Sequence, residues 1–243
     1  MNSFDSPTKN QHNNSESENE ASNVTLASSV YQSLLNDILC GKLKPGQKLR
    51  LQSLKVDYDV GNSPLREALN RLSTNGMVVR EENKGFRVSP ASVEELEELI
   101  RTRCWLEEIA LRESIKNSND EYQERLVLAA HRLSRINIDN DAYYISPEQE
   151  HLHREYHRAL LSACNSNILI RYCDQLHEQT LRYRNLVEVV RYREGHEGEE
   201  HKAILEAVLA NDADKATQLL TRHYQITGEI LIKSGSLNQA ESK

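Results

Sequence analysis

Glycine, proline and aromatic residues are scarce in this chain of 243 residues, which holds nine glycines, five prolines and 5% aromatic residues. This scarcity argues against a mainly β fold, with its many turns, and favours helix. No apolar run approaches the ~18 residues that a membrane span needs. The N-terminus also lacks a basic segment followed by an apolar one. We therefore expect a cytoplasmic protein without a membrane partner.

The four cysteines form no CxxC pair, so they do not indicate a metal or redox site built on paired thiols. All four fall in stretches with a helical pattern. Reduced, buried thiols are the expected state of such cysteines in a cytoplasmic protein.

The net charge of −7 hides an asymmetry along the chain. Residues 27–90 hold ten Lys/Arg and six Asp/Glu, a net charge of about +4, so the remainder carries about −11. A basic segment joined to an acidic one is typical of a DNA-binding domain attached to a domain with another task.

The first part of the chain predicts a tail and then a small domain. Residues 1–25 are rich in Asn, Ser and Glu and predict a disordered tail. From Ser28 apolar residues recur at helical spacing until Gly41. Two further helices, the second capped by Ser63, and two β-prone runs follow at 51–58, 64–74, 77–80 and 85–88. Three helices followed by a β-hairpin predict a winged helix-turn-helix over residues 26–90.

The rest of the chain has a helical pattern throughout. Residues 91–235 predict an all-α bundle with a core of its own, followed by a disordered tail at 236–243. The predicted helices are 92–117, 120–138, 147–164, 167–190, 196–210 and 212–233.

The helix predicted over 64–74 would enter the major groove of DNA with its N-terminal residues at the base edges. A polar or charged side chain there, on the preceding helix, or at the wing tip could contact bases or phosphates. The candidates are Gln52, Asn62, Ser63, Arg66, Lys84 and Gly85. The alternative is a small helical module for protein interaction, with an ordinary solvated basic face.

Residues 28–90 resemble the GntR family of bacterial regulators. The similar segments are the recognition-helix sequence SPLREAL at 63–69, the turn GKLKPG at 41–46 and the wing KGFRV at 84–88. One position departs from the pattern, because many members carry a base-reading arginine where this chain has Asn62. The resemblance therefore implies DNA binding, but not the operator sequence of those members.

Three histidines lie on apolar stripes of three different predicted helices: His157, His201 and His223. His153 precedes His157 by one helical turn, a spacing at which two histidines can share one metal ion. For each histidine alone, a hydrogen-bonded place in the core is the better interpretation. Together they indicate a divalent metal site, since a cation satisfies several buried imidazoles at once.

Residues 92–233 resemble the FCD ligand-binding domain of the FadR-like branch of that family. The resemblance implies a metal held by His153, His157, His201 and His223. Many members have aspartate where this chain has His153, and a fourth imidazole suits zinc or nickel better than a hard ion.

The resemblance further implies a small carboxylate effector held by Arg103, whose guanidinium can bind a carboxylate through two hydrogen bonds. Glu107, one turn later, could orient that guanidinium. The alternative for Arg103 is a surface or interhelical salt bridge. Tyr183 and Arg184 are weaker candidates for the same cavity. His177 is expected to be a surface or ordinary histidine, and Glu150 to face elsewhere.

We therefore expect a metabolite-responsive regulator, a repressor of a catabolic operon, that binds palindromic operator DNA as a homodimer. One alternative is a regulator whose metal is structural or is itself the signal. A metalloenzyme is a remote alternative, because no carboxylate has the spacing of a general base and no nucleophile motif is present.

Overall fold

The structure, a computed structural model, describes residues 12–82, 84–136, 147–186, 197–234 and 237, with side chains from residue 26 onward except at 147 and 186. It divides into two compact units, residues 1–38 with 42–89 and residues 90–243 with 39–41. Among the described residues, no helix is long and apolar enough to cross a membrane.

The first unit is a three-helix core with a small sheet. Its helices are α1 (His12–Leu39), α2 (Leu51–Asp57) and α3 (Asn62–Thr74). Leu34 and Ile38 of α1 are buried, as are Leu65 and Leu69 of α3, which explains their helical spacing in the sequence. Gly41 follows α1 with φ +72°, a conformation that glycine adopts without strain.

Helix α1 begins at His12, inside the segment for which the composition predicts a disordered tail. No proline or glycine stands between Pro7 and Gly41. Extending an existing helix is far easier than starting one, so the packed part of α1 can continue toward the N-terminus. Residues 1–11 and 238–243, also predicted to be tails, lie outside the described residues.

The sheet has three strands rather than the two of the predicted hairpin. Strands β2 (Val78–Glu81) and β3 (Gly85–Val88) form the hairpin, and β1 (Lys48–Leu49) pairs with the free edge of β3. All pairings are antiparallel, in the order β1-β3-β2. Strand β1 escaped prediction because two residues are too few to show an alternating pattern.

The second unit contains six described helices, as the sequence predicts. They are α4 (Val93–Lys116), α5 (Asp120–Ser134), α6 (Pro147–Leu161), α7 (Asn167–Leu186), α8 (Glu197–Leu209) and α9 (Ala213–Lys233). Side chains of Ser92, Asn119 and Asp212 cap the first turns of α4, α5 and α9 by accepting backbone N–H bonds.

Helix α4 packs against α9 and α7, while α5 packs against α6 and α8. Gly228 lets α9 approach α4 closely, since a Cβ there would lie 3.2 Å from Cγ1 of Ile100. Tyr156 on α6 donates a hydrogen bond to the backbone oxygen of His201 on α8 at 2.8 Å. These contacts bring one face each of α4, α6, α7, α8 and α9 to a common interior.

Three of the four cysteines are buried in this unit, as expected, but Cys40 is exposed. It follows the last residue of α1, where the helix ends and its apolar stripe stops. The expectation of a buried thiol was therefore wrong at this position.

Candidate functional site

The candidate DNA-contacting residues all lie on the surface of the first unit. Asn62 and Ser63 begin α3 and Arg66 follows in its first turns, while Leu65 and Leu69 point inward. All three polar side chains are exposed, and so is Gln52 on α2. The first turn of α3 therefore presents hydrogen-bonding groups and one fixed positive charge to solvent.

The tip of the hairpin carries Lys84 and Gly85, both exposed. Gly85 has φ +91°, and a Cβ added there would meet nothing within 4 Å. Arg87, by contrast, is committed to the fold, since it bonds the Glu81 carboxylate at 3.0 Å and the backbone oxygen of Gly46. The wing tip thus presents an exposed lysine at the end of a hairpin that Arg87 helps to hold.

The predicted helix cap at Ser63 was wrong. The capping position is Gly61, and no side chain caps the first turn of α3. Ser63 is already helical, and Pro64 follows it inside the first turn, where a missing N–H leaves no bond unmade. The Ser63 hydroxyl is therefore not required for capping.

In the second unit, the four predicted histidines converge in one buried cluster. His153 and His157 come from α6, His201 from α8 and His223 from α9, and all four side chains are buried. One nitrogen atom of each ring lies within 4.8 Å of one nitrogen of every other. The ring centroids of His201 and His223 are 4.8 Å apart, and those of His153 and His157 are 4.5 Å apart.

Two of these imidazoles are oriented by hydrogen bonds at Nδ1. His223 Nδ1 lies 2.7 Å from the Glu200 carboxylate, which can only accept, so this nitrogen carries the proton. His157 Nδ1 lies 2.9 Å from the hydroxyl oxygen of Tyr224, which itself donates to the Glu107 carboxylate at 2.5 Å. The hydroxyl therefore accepts from His157 Nδ1–H. Both rings therefore keep a lone pair on Nε2 that can ligate a metal ion. In known metal sites, a carboxylate that accepts from the other ring nitrogen fixes the imidazole in the same way.

His153 is arranged differently. Its Nδ1 lies 3.3 Å from the Arg184 guanidinium, which can only donate, so the proton of the neutral ring sits on Nε2. That Nε2 is 3.2 Å from His157 Nε2 and 3.3 Å from the Glu197 carboxylate. Ligation through His153 Nε2 would move the proton to Nδ1 and release Arg184 from this contact.

Arg103 lies inside the unit, in a buried ion pair with Glu107 at 2.6 Å. Its guanidinium also donates to His177 Nδ1 at 3.1 Å, and His177 Nε2–H donates to Glu150 at 3.0 Å. Arg184 contacts the other oxygen of Glu150 at 3.4 Å. Eight side chains thus form a closed ring of hydrogen bonds, in the order Arg103, Glu107, Tyr224, His157, His153, Arg184, Glu150 and His177.

Burial controls the protonation of the histidines and the Glu150 carboxyl in this cycle of hydrogen bonds. It lowers the pKa of His153, His157 and His177, with nearby positive charges adding to the effect and Glu150 opposing it at His177. Burial raises the pKa of the Glu150 carboxyl, but Arg184 and His177 outweigh it, so the net pKa is lowered. The imidazoles are therefore neutral and the carboxylate ionised, as metal ligation requires.

The donor set fits a borderline divalent cation. Neutral imidazole nitrogens are ligands that zinc and nickel accept readily, and three of them leave the fourth position of a tetrahedral zinc open for a further ligand. Among the described residues, the hydrogen-bonded network holds four carboxylates and two guanidiniums: Glu107, Glu150, Glu197, Glu200, Arg103 and Arg184. A cation of charge +2 would balance their net charge of −2.

A cavity of about 460 Å³ lies against one side of the cluster. His153, His201 and Arg184 line it, but Arg103 does not. Arg103 instead lines a gap of about 20 Å³ beside His157 and His177. The structure therefore brings the four histidines together as predicted and places the predicted effector arginine in the ring behind them.

The sequence reasoning missed His177, Glu150 and Tyr224, and it ranked Arg184 only weakly. His177 carried a usable signal, because Cys173, His177, Leu181 and Arg184 follow helical spacing on the buried face of α7. Tyr224, next to His223, carried none that distinguishes it from an ordinary core tyrosine.

Comparison with known proteins finds one family profile for each of the two units. The family profile described as "Bacterial regulatory proteins, gntR family" matches residues 26–88, and the FCD domain profile matches residues 98–226.

Curated relatives span most of the chain. It is 34% identical over 215 residues to the uncharacterized HTH-type transcriptional regulator BphR of Paraburkholderia xenovorans, with 88% of each chain covered. It is 30% identical over 199 residues to the HTH-type transcriptional repressor GlaR of Escherichia coli, covering 79% of this chain and 90% of GlaR.

Solved structures share the fold. Escherichia coli McbR/YncC is similar with a TM-score of 0.69 and 23% identity, covering 86% of this chain and 97% of that one. A GntR regulator structure from Rhodococcus sp. RHA1 gives a TM-score of 0.69 at 20% identity, covering 85% and 97%.

Proposed function

We propose that this chain, which belongs to the GntR family of bacterial regulatory proteins and carries an FCD domain, binds operator DNA in response to a metabolite. It is a DNA-binding transcription regulator and not an enzyme. The observation that carries the proposal is the buried histidine cluster beside a ligand-sized cavity in the helical unit. Binding of a small molecule at such a site can alter the conformation of the helical unit, and that change can alter the DNA affinity of the winged-helix unit.

The metal of the proposed site is zinc or nickel. His157, His201 and His223 would hold it, and His153 would join them once its proton moves to Nδ1. The neutral imidazoles, and the net charge of −2 carried by the six described side chains counted above, support a divalent cation. When bound, the metal supplies an open coordination position that a carboxylate oxygen can fill.

The effector is a small carboxylate bound in the cavity. Arg184 is the guanidinium that lines this cavity, so it takes the role first expected of Arg103. Arg103 remains part of the proposed site as the residue that holds Glu107, and through Tyr224 the His157 ring, in place.

Helix α7 offers a physical link from this cavity to the start of the helical unit. Next to Arg184, Tyr183 accepts from the backbone N–H of Ser92 at 3.3 Å and also donates to Glu95. Arg182 donates to Glu95 at 2.7 Å. Ser92 and Glu95 follow directly after the last residues of the winged-helix unit in the chain. Displacement of Arg184 would shift Tyr183, and with it these two residues.

On DNA, Gln52, Asn62, Ser63, Arg66, Lys84 and Gly85 would make the contacts of the winged helix. Their exposure, together with the positive charge at α3 and the wing tip, supports this assignment. Asn62 in place of the family's frequent arginine predicts an operator that differs from theirs. A repressor role is supported by the name of the Escherichia coli relative GlaR.

A homodimer would match a palindromic operator. Trp105 and Ile109, one helical turn apart on α4, are 59% and 54% exposed and form an apolar stripe that a second copy could cover. We expect the dimer to act in the cytoplasm, where its DNA lies.

The test is a mobility-shift titration of the zinc-loaded dimer on DNA upstream of its own gene and neighbouring genes. We expect a sequence-specific shift that Arg66→Ala weakens and that a carboxylate metabolite reverses. No specific shift from folded dimeric protein would overturn DNA regulation. A shift that responds to metal but to no small molecule would favour a metal that is structural or is itself the signal.

A further inference from the structure

The cavity beside the histidine cluster has two unlike ends. One end carries the ionisable side chains of the cluster and its neighbours, including His153, His201, Arg184 and Glu197. The other is a wall of apolar side chains, contributed by one face of α5, the residues after it and one turn of α8. These are Val127, Ala130, Leu133, Ile136 and Leu205.

The apolar wall is open to solvent in part. Val127 is 43% exposed, and Ala130 and Leu133 are only half-buried. Val127, Ala130 and Leu133 follow one another at intervals of three, so they form a continuous strip along α5. Covering such a strip with an apolar group is favourable in proportion to the area removed from water. The cavity volume of about 460 Å³ falls within the usual range of small-molecule sites.

The polar end fits one anionic group. The Arg184 guanidinium lies 3.4 Å from Glu150 and 3.9 Å from Glu197, so existing carboxylates already share its charge. A divalent metal would balance the four glutamates and two arginines of the network. Among the described lining residues Lys202 is the one further lysine or arginine, and it already lies 3.9 Å from Glu206, so the lining offers positive charge for little more than one carboxylate. A second carboxylate at the far end of the ligand would meet the α5 side, where the described lining offers His131, Ser134 and apolar side chains but no lysine or arginine, and burying a charge without a cation is unfavourable.

We propose that the cavity binds a monocarboxylate with an apolar body, its carboxylate at Arg184 and the histidine cluster and its body along the strip of α5. This rests on the proposed function, in which a carboxylate is the effector, and it names the class of that carboxylate. A short hydroxylated acid or a citrate-like polyacid would leave the apolar strip uncovered or bring unpaired charge to it.

The test is calorimetric titration of the zinc-loaded full-length protein with straight-chain monocarboxylates from acetate to octanoate. The dissociation constant should fall about three- to fourfold for each added methylene until the cavity is filled. Succinate and adipate should bind at least about tenfold more weakly than monocarboxylates of equal length. Zinc content, measured on the same samples, should stay constant.

Two neighbouring residues of α5 provide a matched pair of variants. Val127 lines the cavity, whereas Leu128 does not and is similarly exposed, at 49%. Val127→Asp should remove most of the gain with chain length, and Leu128→Asp should leave it unchanged. Because both side chains are exposed, neither change is expected to unfold the protein.

The outcomes separate this inference from the proposed function. Tight binding of polyacids, or monocarboxylate affinity that does not depend on chain length, overturns the inference and leaves a carboxylate effector standing. Length-dependent binding that does not alter DNA affinity supports the inference and removes the effector role. If no carboxylate of either class binds zinc-loaded protein, both fail.

Discussion

Arg66 and Arg103 show how differently the two units use the same side chain. Arg66 stands exposed near the start of α3, and no ion pair or hydrogen bond of its side chain contributes to the fold described above. Arg103 is 5% exposed and bonded to Glu107 and His177. The winged-helix unit keeps its functional charges in solvent, whereas the helical unit keeps them in a closed interior ring.

This difference has an energetic consequence. An exposed charge contributes little to stability and can be changed at small cost, so its role is visible mainly when DNA binds. A buried charge depends on every partner, because removal of one leaves the others desolvated and unpaired. The following experiments compare the two units on that basis, beginning with the largest expected effect.

Replacing Arg103 by alanine should destabilise the helical unit by about 3–5 kcal/mol, because Glu107 would remain buried without its cation. Urea unfolding followed through the fluorescence of Trp105, the single tryptophan, measures this unit directly. Arg125→Ala breaks an exposed pair with Glu121 and should change stability by less than about 1 kcal/mol. Equal losses of stability in Arg103→Ala and Arg125→Ala would contradict the difference expected between a buried and an exposed arginine.

Acid should destabilise the metal-free helical unit. The pKa of His153, His157 and His177 lies below the ordinary value of 6.5 in the folded protein. The unfolded chain therefore binds more protons as pH falls below about 6.5, and stability is lost in that direction while it is flat above. The slope should reach about 1.4 kcal/mol per pH unit for each histidine.

Urea unfolding in the presence of a chelator, at pH 7.5, 6.5 and 5.5, measures this slope. His177→Gln should reduce it, because one of the three histidines no longer takes up a proton on unfolding. A stability that does not change between pH 7.5 and 5.5 would show that the buried imidazoles are protonated as easily as those of the unfolded chain.

Tyr224→Phe should weaken zinc binding about 10–100-fold, because His157 loses the acceptor that fixes its proton on Nδ1. Competition with a chromophoric chelator gives the affinity. Tyr122→Phe removes another buried tyrosine hydroxyl, which donates to the backbone oxygen of Leu160 at 2.9 Å and bonds none of the four histidines, and is the control. A similar loss of zinc affinity in both variants would argue against an orienting role for Tyr224.

Arg66→Ala should weaken operator binding by about 1–3 kcal/mol and leave the free energy of unfolding within about 0.5 kcal/mol of the original. Fluorescence anisotropy with labelled operator at a fixed salt concentration measures the first, and urea unfolding the second. Arg125→Ala, on the helical unit, should change neither. A large loss of stability in Arg66→Ala would show that this arginine supports the fold as the buried arginines do, and would contradict the difference between the two units.

The two units also differ in how far their sites could be predicted. The exposed residues at the start of α3 and at the wing tip depend on local order along the chain, so the motif was enough to propose them. The four histidines could also be predicted from the sequence, since each repeats the apolar spacing of its own helix. Arg103 was predicted as an effector contact from the family resemblance, and neither that resemblance nor the local pattern shows which side chains it meets in this chain.

The sequence by itself determined the helices, the winged-helix order and the inward faces that carry His153, His157, His201 and His223, since these follow from periodicities of a few residues. Only the tertiary structure decided which inward polar groups meet. Helix α7 places His177 and Arg184 between α4 and α6, so Arg103 bonds His177 and Arg184 reaches the cavity. Partners 74 residues apart are chosen by helix packing, and no local pattern encodes that choice.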